Sequence, residues 1–579
     1  MHAHLRDFSA DKRLLLFSAI AVGIGAVATV AAFVLLNAIH FFTNLFFFQT
    51  LSFADRSPAD HTLGIWVVAL PVVGGLIAGL IARYGSDKVR GHGIPEAIEA
   101  ILFRKSRMSP KVALLKPLTS GIVIGSGGPF GAEGPIIMTG GAIGSLIAQY
   151  FTITAAERKV LLVAGATAGM TAVFGTPVAA VLLAVELLLF EWRPRSLLPV
   201  IMACATAAFC RPFLLESGPL FPMQTAVPGI EAFGICIVAG LLSGVLSVSM
   251  SASLYKVEDW FSTLPLHWMW WPAIGGLAVG IGGYIEPRAL GVGYDVIQDL
   301  LNNHLVISVA LSLLLVKAVI WVIALGSGTS GGVLAPLLML GAGLGAVLSS
   351  VLPGSDPTLW PLVCMAAVLA GVLGAPLTAA IFAVGLTGDF NALLPLLLAS
   401  GVSYGFTILV MKRSIMTEKV ARRGLHIYRE YAVDPLERSF VGDVMTPSPQ
   451  GVSSALSIAD AHQQYFGVNQ RYRVFPVLDA KGNVKGMLDR EVMMAGLQDD
   501  PHQQLDGFFN KQSSLQVALA NESCQSIGRR MASLGLACLP VVSDKGSNRL
   551  IGIISRSDLI KPAQVAFEEE HVRERMIGG

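Results

Sequence analysis

"GSGGPFGAEGPIIMTGGAIGSLI", Gly125–Ile147, and "GSGTSGGVLAPLLMLGAGLGAVL", Gly326–Leu348, align without a gap at an offset of 201 residues. Ser126/Ser327, Gly131/Gly332, Pro135/Pro336, Met138/Met339 and Gly144/Gly345 are identical pairs. A second match follows in the same order, "PVAAVLLAVEL" from Pro177 and "PLTAAIFAVGL" from Pro376. Glycine-rich apolar helices look alike by chance, so one match would carry little weight. Two in the same order predict duplicated halves, about 14–212 and 231–412, meeting at a central site.

Composition says what solvates those halves. Only 14% of the 579 residues are charged and 53% are hydrophobic, where a soluble domain carries about 25% charged residues. No ionic residue lies between Lys317 and Asp356, or between Asp356 and Asp389. Residues 14–48 and 231–254 are long enough to span a bilayer. Other apolar segments, such as "IPEAIEAILF" and "PLTAAIFAVGL", are too short. Short segments punctuated by Gly and Pro predict helices that stop at mid-membrane, where the broken backbone lines a cavity. The long apolar run after Lys12 and Arg13 reads as a retained first helix rather than a signal peptide. Those two cations put the N-terminus in the cytoplasm, and Lys412, Arg413, Lys419, Arg422 and Arg423 do the same for the C-terminal region. Six scattered cysteines form no disulfide framework. A net charge of +2 is too small to suggest a nucleic-acid partner.

Within this apolar half, Glu133 is the only charged residue between Lys116 and Glu157. A lone carboxylate there costs about 3 kcal/mol on insertion scales. Around it, "GAEGPIIM" and "GGVLAPLLM" are Gly-rich loops opening helices, with Pro in or near the first turn. Such ends present unpaired N–H groups and a positive dipole. Two of them aimed at one point bind an anion without a fixed cation, which suits an ion that must also leave. The same glycines could serve helix packing alone, but packing does not explain Glu133. A dinucleotide loop needs a preceding strand, and none is predicted. "GVSYG" at 401–405 fits a hydrolase pattern only by chance, since it lies in an apolar helix without His or Asp nearby.

Past residue 413 the chain turns polar and repeats itself a second time. "VFPVLD" and "CLPVVSD" each read as a buried strand and turn, followed by "GMLDR" or "GIISR" and a helix. This pattern resembles a tandem pair of CBS domains.

Three stretches in order, "GHGIPE" (91–96), "GAEGP" (131–135) and "GGVLAP" (331–336), resemble the CLC chloride channels and proton-coupled chloride transporters. The resemblance covers about residues 14–424, and the CBS pair also occurs in that family. It implies an α-helical polytopic membrane protein with an inverted repeat and broken half-membrane helices, plus a cytosolic α/β tandem CBS domain. It implies a homodimer with one anion pathway per subunit. The family's gating glutamate falls on Glu133, and its anion-coordinating amides fall on Val333 and Leu334, with others near Gly134 and at His92, Gly93 and Ile94. On that reading the Glu133 carboxylate is a tethered competitor for chloride, released by protonation.

The sequence departs from the family pattern at three places. His92 stands where Ser is usual; it either faces the anion or simply caps its helix. Met416 falls where a tyrosine usually closes the central site from inside. Leu187 takes the place of the second glutamate of many proton-coupled members, which leaves Glu186 and Glu191 as candidates for a proton path. Glu191, one turn beyond Leu187, is expected on the same helix face. In the second CBS repeat, Ser555 and Asp558 keep the Ser-x-x-Asp pattern that holds a ribose, so an adenine nucleotide is expected there, against a purely structural CBS pair.

The expected organisation is a membrane domain over 1–424, a linker over 425–438, and CBS domains over 439–500 and 501–570. The expected function is CLC-type transport of chloride or a related small anion across the cytoplasmic membrane, with weak or absent proton coupling. A proton-coupled antiporter is the alternative. A CBS-regulated cation transporter ranks below both, because cation pathways want acidic rings. A CBS-regulated enzyme has no metal or nucleophile constellation to support it, and no cofactor is required.

Overall fold

The structure, a computed structural model, describes residues 12–351, 356–425, 427, 436, 439–466, 472–509, 515–544, 546 and 548–564. Most of the expected linker, and residues 565–570 of the second CBS span, lie outside the described residues. The chain divides into two compact units, Phe8–Glu430 and a second formed by Met1–Asp7 with Tyr431–Gly579.

The larger unit is all helical. Its first half runs α1 (Arg13–Phe48), α2 (Ala69–Tyr84), α3 (Ile94–Phe103), α4 (Pro110–Gly125), α5 (Glu133–Gln149), α6 (Ala155–Phe174), α7 (Pro177–Leu183) and α8 (Pro194–Leu214). The second half runs α9 (Ala232–Ser262), α10 (Trp271–Ile285), α11 (Tyr294–Leu301), α12 (Ile307–Gly326), α13 (Leu334–Leu348), α14 (Leu359–Leu373), α15 (Pro376–Thr387) and α16 (Leu393–Val410). A closing helix, α17 (Ile415–Arg422), follows. Among the described residues six helical stretches are long and apolar enough to cross a membrane, while Leu334–Leu348, Leu359–Leu373 and Pro376–Thr387 are shorter. The ten-residue α3 is shorter still.

The duplication read from the sequence is visible in the contacts. Gly131 and Gly332 pair with each other: the Gly332 N–H donates to the Gly131 carbonyl at 2.9 Å and the reverse bond is 3.3 Å. Flanking this pair, the Gly91 N–H donates to Gly328 at 3.2 Å, and the Gly291 N–H donates to Gly127 at 3.0 Å. Each half thus ties its loop to the other half at matching positions. Gly93 (φ 89°) and Gly293 (φ 76°) open α3 and α11 in the left-handed region, where a side chain would be strained.

Two buried lysines hold these loops from beneath. Lys116 donates to the carbonyls of Val89 (2.9 Å) and Gly91 (2.7 Å). Lys317, 201 residues on, donates to those of Ala289 and Gly291, both at 2.9 Å. Both side chains are fully buried, and the carbonyls they satisfy would otherwise be orphaned in an apolar interior.

After α7, the helix widens into a π-turn over Ala184–Leu189 and stops at Phe190, whose backbone is left-handed (φ 54°). The expectation that Glu191 shares a helix face with Leu187 is therefore corrected. The backbone reverses its helical sense before Glu191, so i, i+4 spacing no longer applies.

Among the described residues the smaller unit contains two sheets, one ordered β1-β7-β6-β5 with β5 at Ala518–Leu519 and one ordered β2-β3-β4 with β2 at Val452–Ser453. In the second sheet β3 (Val474–Leu478) pairs antiparallel with β4 (Val484–Asp489), matching Phe475 with Leu488. In the first, β6 (Cys538–Val542) pairs with β7 (Leu550–Ser555), matching Leu539 with Ile554. The motifs interlock, because β1 (Thr446–Pro447) joins β7 of the second repeat. The helix Leu505–Phe509 packs into the core of the first repeat with Phe475 and Leu488. The division at 500/501 is thus crossed by packing in both directions.

Candidate functional site

Glu133 is the first residue of α5 and has no solvent exposure. Its Oε1 accepts the backbone N–H of Ala335 at 2.5 Å. Ala335 is the second residue of α13, so the carboxylate of one half sits on the helix N-terminus of the other. The N–H groups of Leu334 and of Glu133 itself lie close behind. Its Oε2 has no hydrogen-bond partner. The seat exists because the bridging residues are glycines: a Cβ at Gly131 would overlap the carboxylate, and one at Gly332 would lie 2.9 Å from its Cδ. No lysine or arginine pairs with it among the described residues. Backbone dipoles alone compensate the charge.

Six of the sequence-predicted neighbours, His92, Gly93, Ile94, Gly134, Val333 and Leu334, gather here. His92 is buried, its Nδ1 lacks a partner, and its carbonyl packs so closely on Gly134 that a Cβ there would overlap it. Gly93 and Ile94 open α3 at the same place, and Val333 and Leu334 are buried at the start of α13. Met416 is fully buried on α17. The preceding carbonyl, Ile415, accepts the Tyr255 hydroxyl at 2.5 Å, which fixes the start of that helix.

The bonds described for Glu186 and Glu191 go to other residues. Glu186 caps α15, accepting from the Thr378 N–H at 2.8 Å and its hydroxyl at 2.6 Å. Glu191 accepts the Ser196 hydroxyl at 2.7 Å and lies 3.8 Å from Lys159 and 4.0 Å from Arg193. Leu187 between them is fully buried.

Sequence reading missed a charged cavity beside α3. A cavity of about 480 Å³ is lined by Arg90, Glu96, Glu99, Lys419, Arg422 and Arg423, among others. Its charged lining counts seven basic residues against four acidic ones. Two of the acids are engaged: Glu96 pairs with Lys419 and Arg423, both at 3.0 Å, and Glu99 pairs with Arg423 and Arg104. Arg90 lies over the ring of Trp268, 4.5 Å from its centroid. The missed signal was position, since Arg90 directly precedes "GHGIPE".

In the smaller unit Asp558 is buried, accepting the Ser555 N–H at 2.8 Å and its hydroxyl at 2.6 Å, with Lys561 at 2.7 Å. Burial would push its pKa up, but the bonds from Lys561 and Ser555 outweigh that and hold it below the usual carboxylate value. In the first repeat, Asp489 accepts only the Val492 N–H among the hydrogen bonds described, at 2.8 Å.

Comparison with known proteins decides the family. The sequence pattern of the voltage gated chloride channel family matches residues 73–407, more than half of the chain. The chain belongs to that family. Two CBS domains follow, at 441–497 and 514–563. The voltage-gated ClC-type chloride channel ClcB of Citrobacter koseri is 30% identical over 365 residues, covering 61% of this chain and 85% of that protein. Among solved CLC structures, a slow cyanobacterial Cl−/H+ antiporter superposes with a TM-score of 0.64 at 22% identity, over 72% of this chain and 99% of its own. A eukaryotic CLC transporter covers 94% of this chain and 98% of its own, with a TM-score of 0.60 at 19% identity. The CLC fold therefore extends through the helical unit, and those two likenesses speak for fold alone.

Proposed function

We propose that this protein carries chloride or a related small anion across the cytoplasmic membrane as a homodimer, with Glu133 as the gate. The observation that supports this most is the Glu133 carboxylate seated on the Ala335 N–H at the start of α13. A site that holds a carboxylate on backbone amides alone holds chloride by the same dipoles. Ion and side chain then compete, and protonating Glu133 removes the competitor. His92, Gly93, Ile94, Gly134, Val333 and Leu334 form the path, with Met416 toward the cytosol. The N-terminus and the CBS domains are cytosolic.

Proton coupling is weak or absent on this reading. Leu187 carries no proton, and Glu191 is occupied by Ser196, Lys159 and Arg193 beyond the end of its helix. The alternative is antiport. Proton flux in liposomes under a chloride gradient, with the membrane potential clamped, separates the two: uphill proton movement at a fixed ratio would establish antiport. Transport itself is tested by efflux from liposomes loaded with potassium chloride. Chloride release that appears only when valinomycin lets potassium leave as the balancing charge supports the proposal; potassium release without valinomycin, or no chloride release with it, contradicts it.

For the CBS pair, an adenine nucleotide in the cleft beside Ser555 and Asp558 is the proposed ligand. Asp558 is preorganised by Ser555 and Lys561, while the first repeat, with Asp489 and Val492, offers no equivalent pair. Calorimetry on the full-length protein with ATP, ADP and AMP tests this, and absence of heat with all three leaves a structural role.

A further inference from the structure

The loops that open α3 and α11 are equivalent in backbone but not in chemistry. The first reads Gly91-His92-Gly93-Ile94 and the second Gly291-Val292-Gly293-Tyr294. Met138 packs on Gly93 as its repeat partner Met339 packs on Gly293. The start of α11 therefore abuts α13 as the start of α3 abuts α5. Tyr294 opens α11, which packs on α13, the helix whose Ala335 N–H holds Glu133.

Three observations about Tyr294 ask for an explanation. Its ring lies edge-on to Phe221 (5.9 Å) and Phe174 (6.4 Å), and Phe174 is backed by Phe382 at 5.0 Å. All three phenylalanines are buried, so the ring is held in place. Its hydroxyl is nevertheless buried with no hydrogen-bond partner, although a buried donor is normally paired. Glu133 Oε2 is a buried acceptor in the same condition, and Glu133 is the leading charge felt at Tyr294.

The other charges nearby differ between the two loops. From the loop after α1, Asp55 acts on Tyr294; Lys317 lies beneath the loop, with Asp295 in electrostatic reach of it. In the loop of the first half, the charges acting on His92 are Lys419, Glu96 and Lys116. Arg90 and Glu96, which flank His92 in sequence, line the basic cavity, and Tyr294 does not.

We propose that the Tyr294 hydroxyl is the second seat of the Glu133 carboxylate. When the carboxylate leaves the Ala335 N–H, the phenol donates to it and keeps the pathway open. The phenol keeps its proton throughout. The inference rests on the reading of Glu133 as the gate. Without the hydroxyl, an ionised carboxylate has only its first seat, and opening must wait for protonation.

Chloride flux into liposomes is measured against pH for Tyr294→Phe, Glu133→Gln and the double variant. Tyr294→Phe should move the half-maximal pH acid-ward by about one unit, the scale of a hydrogen bond to a charged acceptor. The double variant should match Glu133→Gln. Its melting temperature in detergent should be unchanged or raised, since the lost hydroxyl has no partner at rest. An unmoved midpoint, an equal flux change in both backgrounds, or a fall in melting temperature overturns the proposal. Retention of the wild-type pH profile by Glu133→Gln alone would instead overturn the gate.

Discussion

The two halves of the membrane unit share a backbone and divide the chemistry between them. At the centre, Gly131 and Gly332 bond to each other reciprocally in an antiparallel bridge, and each half's loop is tied down by its own buried lysine. Yet the first half supplies Glu133, His92 and Arg90, whereas the equivalent positions of the second are Leu334, Val292 and Leu290. In place of side chains, the second half offers the N–H groups that Glu133 occupies. Both halves thus supply helix ends to one frame, and only the first adds a carboxylate to it. On the proposed reading the frame of amides binds an anion and the carboxylate decides when.

The lysines test whether the frame is symmetric in energy as well as in geometry. Lys317→Met would orphan two buried carbonyls and should cost roughly 2 kcal/mol or more. Lys116→Met should cost more, because Lys116 also donates to the Ser330 hydroxyl of the other half at 3.0 Å. Melting temperatures of the two variants in one detergent check the order. Equal losses would mean that the tie between halves contributes nothing.

A smaller effect is expected where the halves differ in chemistry. His92→Ser should change the chloride-to-nitrate or chloride-to-fluoride flux ratio by about fivefold, the worth of one hydrogen bond. Val292→Ser, at the equivalent position, should leave that ratio alone. Unchanged ratios in both would assign His92 a capping role.

The least effect belongs to the CBS pair, whose repeats also diverge. Asp558→Asn should remove nucleotide binding and cost about 1 kcal/mol of stability from its hydrogen bonds. Because its pKa is depressed in the folded state, that contribution is present above about pH 4 and is lost as pH falls through the folded value. Asp489→Asn should leave nucleotide binding intact. Calorimetry and acid unfolding of the two variants make the comparison.

How far the sequence revealed this arrangement follows from what a linear pattern can carry. The offset of 201, the short Pro-started segments and the isolated Glu133 are local signals, and they led to the frame and the carboxylate. Lys116 and Lys317 were equally visible and share that offset, but each looked like an ordinary charge bounding an apolar run. Only the folded loops show what their ammonium groups satisfy. Tyr294 was hidden for the same reason, since its significance lies in a hydroxyl left without a partner. Glu191 misled in the other direction: spacing assumed a regular helix, and a π-turn with a left-handed Phe190 ended it first.

The central claim is that one side chain of the first half opens and closes a site built by the backbone of both. Chloride flux of Glu133→Gln in liposomes, followed across the pH range over which the wild-type flux changes, tests it most directly. Glutamine has the shape of the protonated carboxyl and cannot titrate. The account predicts flux that is nearly independent of pH and no lower than the acid-activated wild type. Flux that keeps the wild-type pH dependence would contradict it.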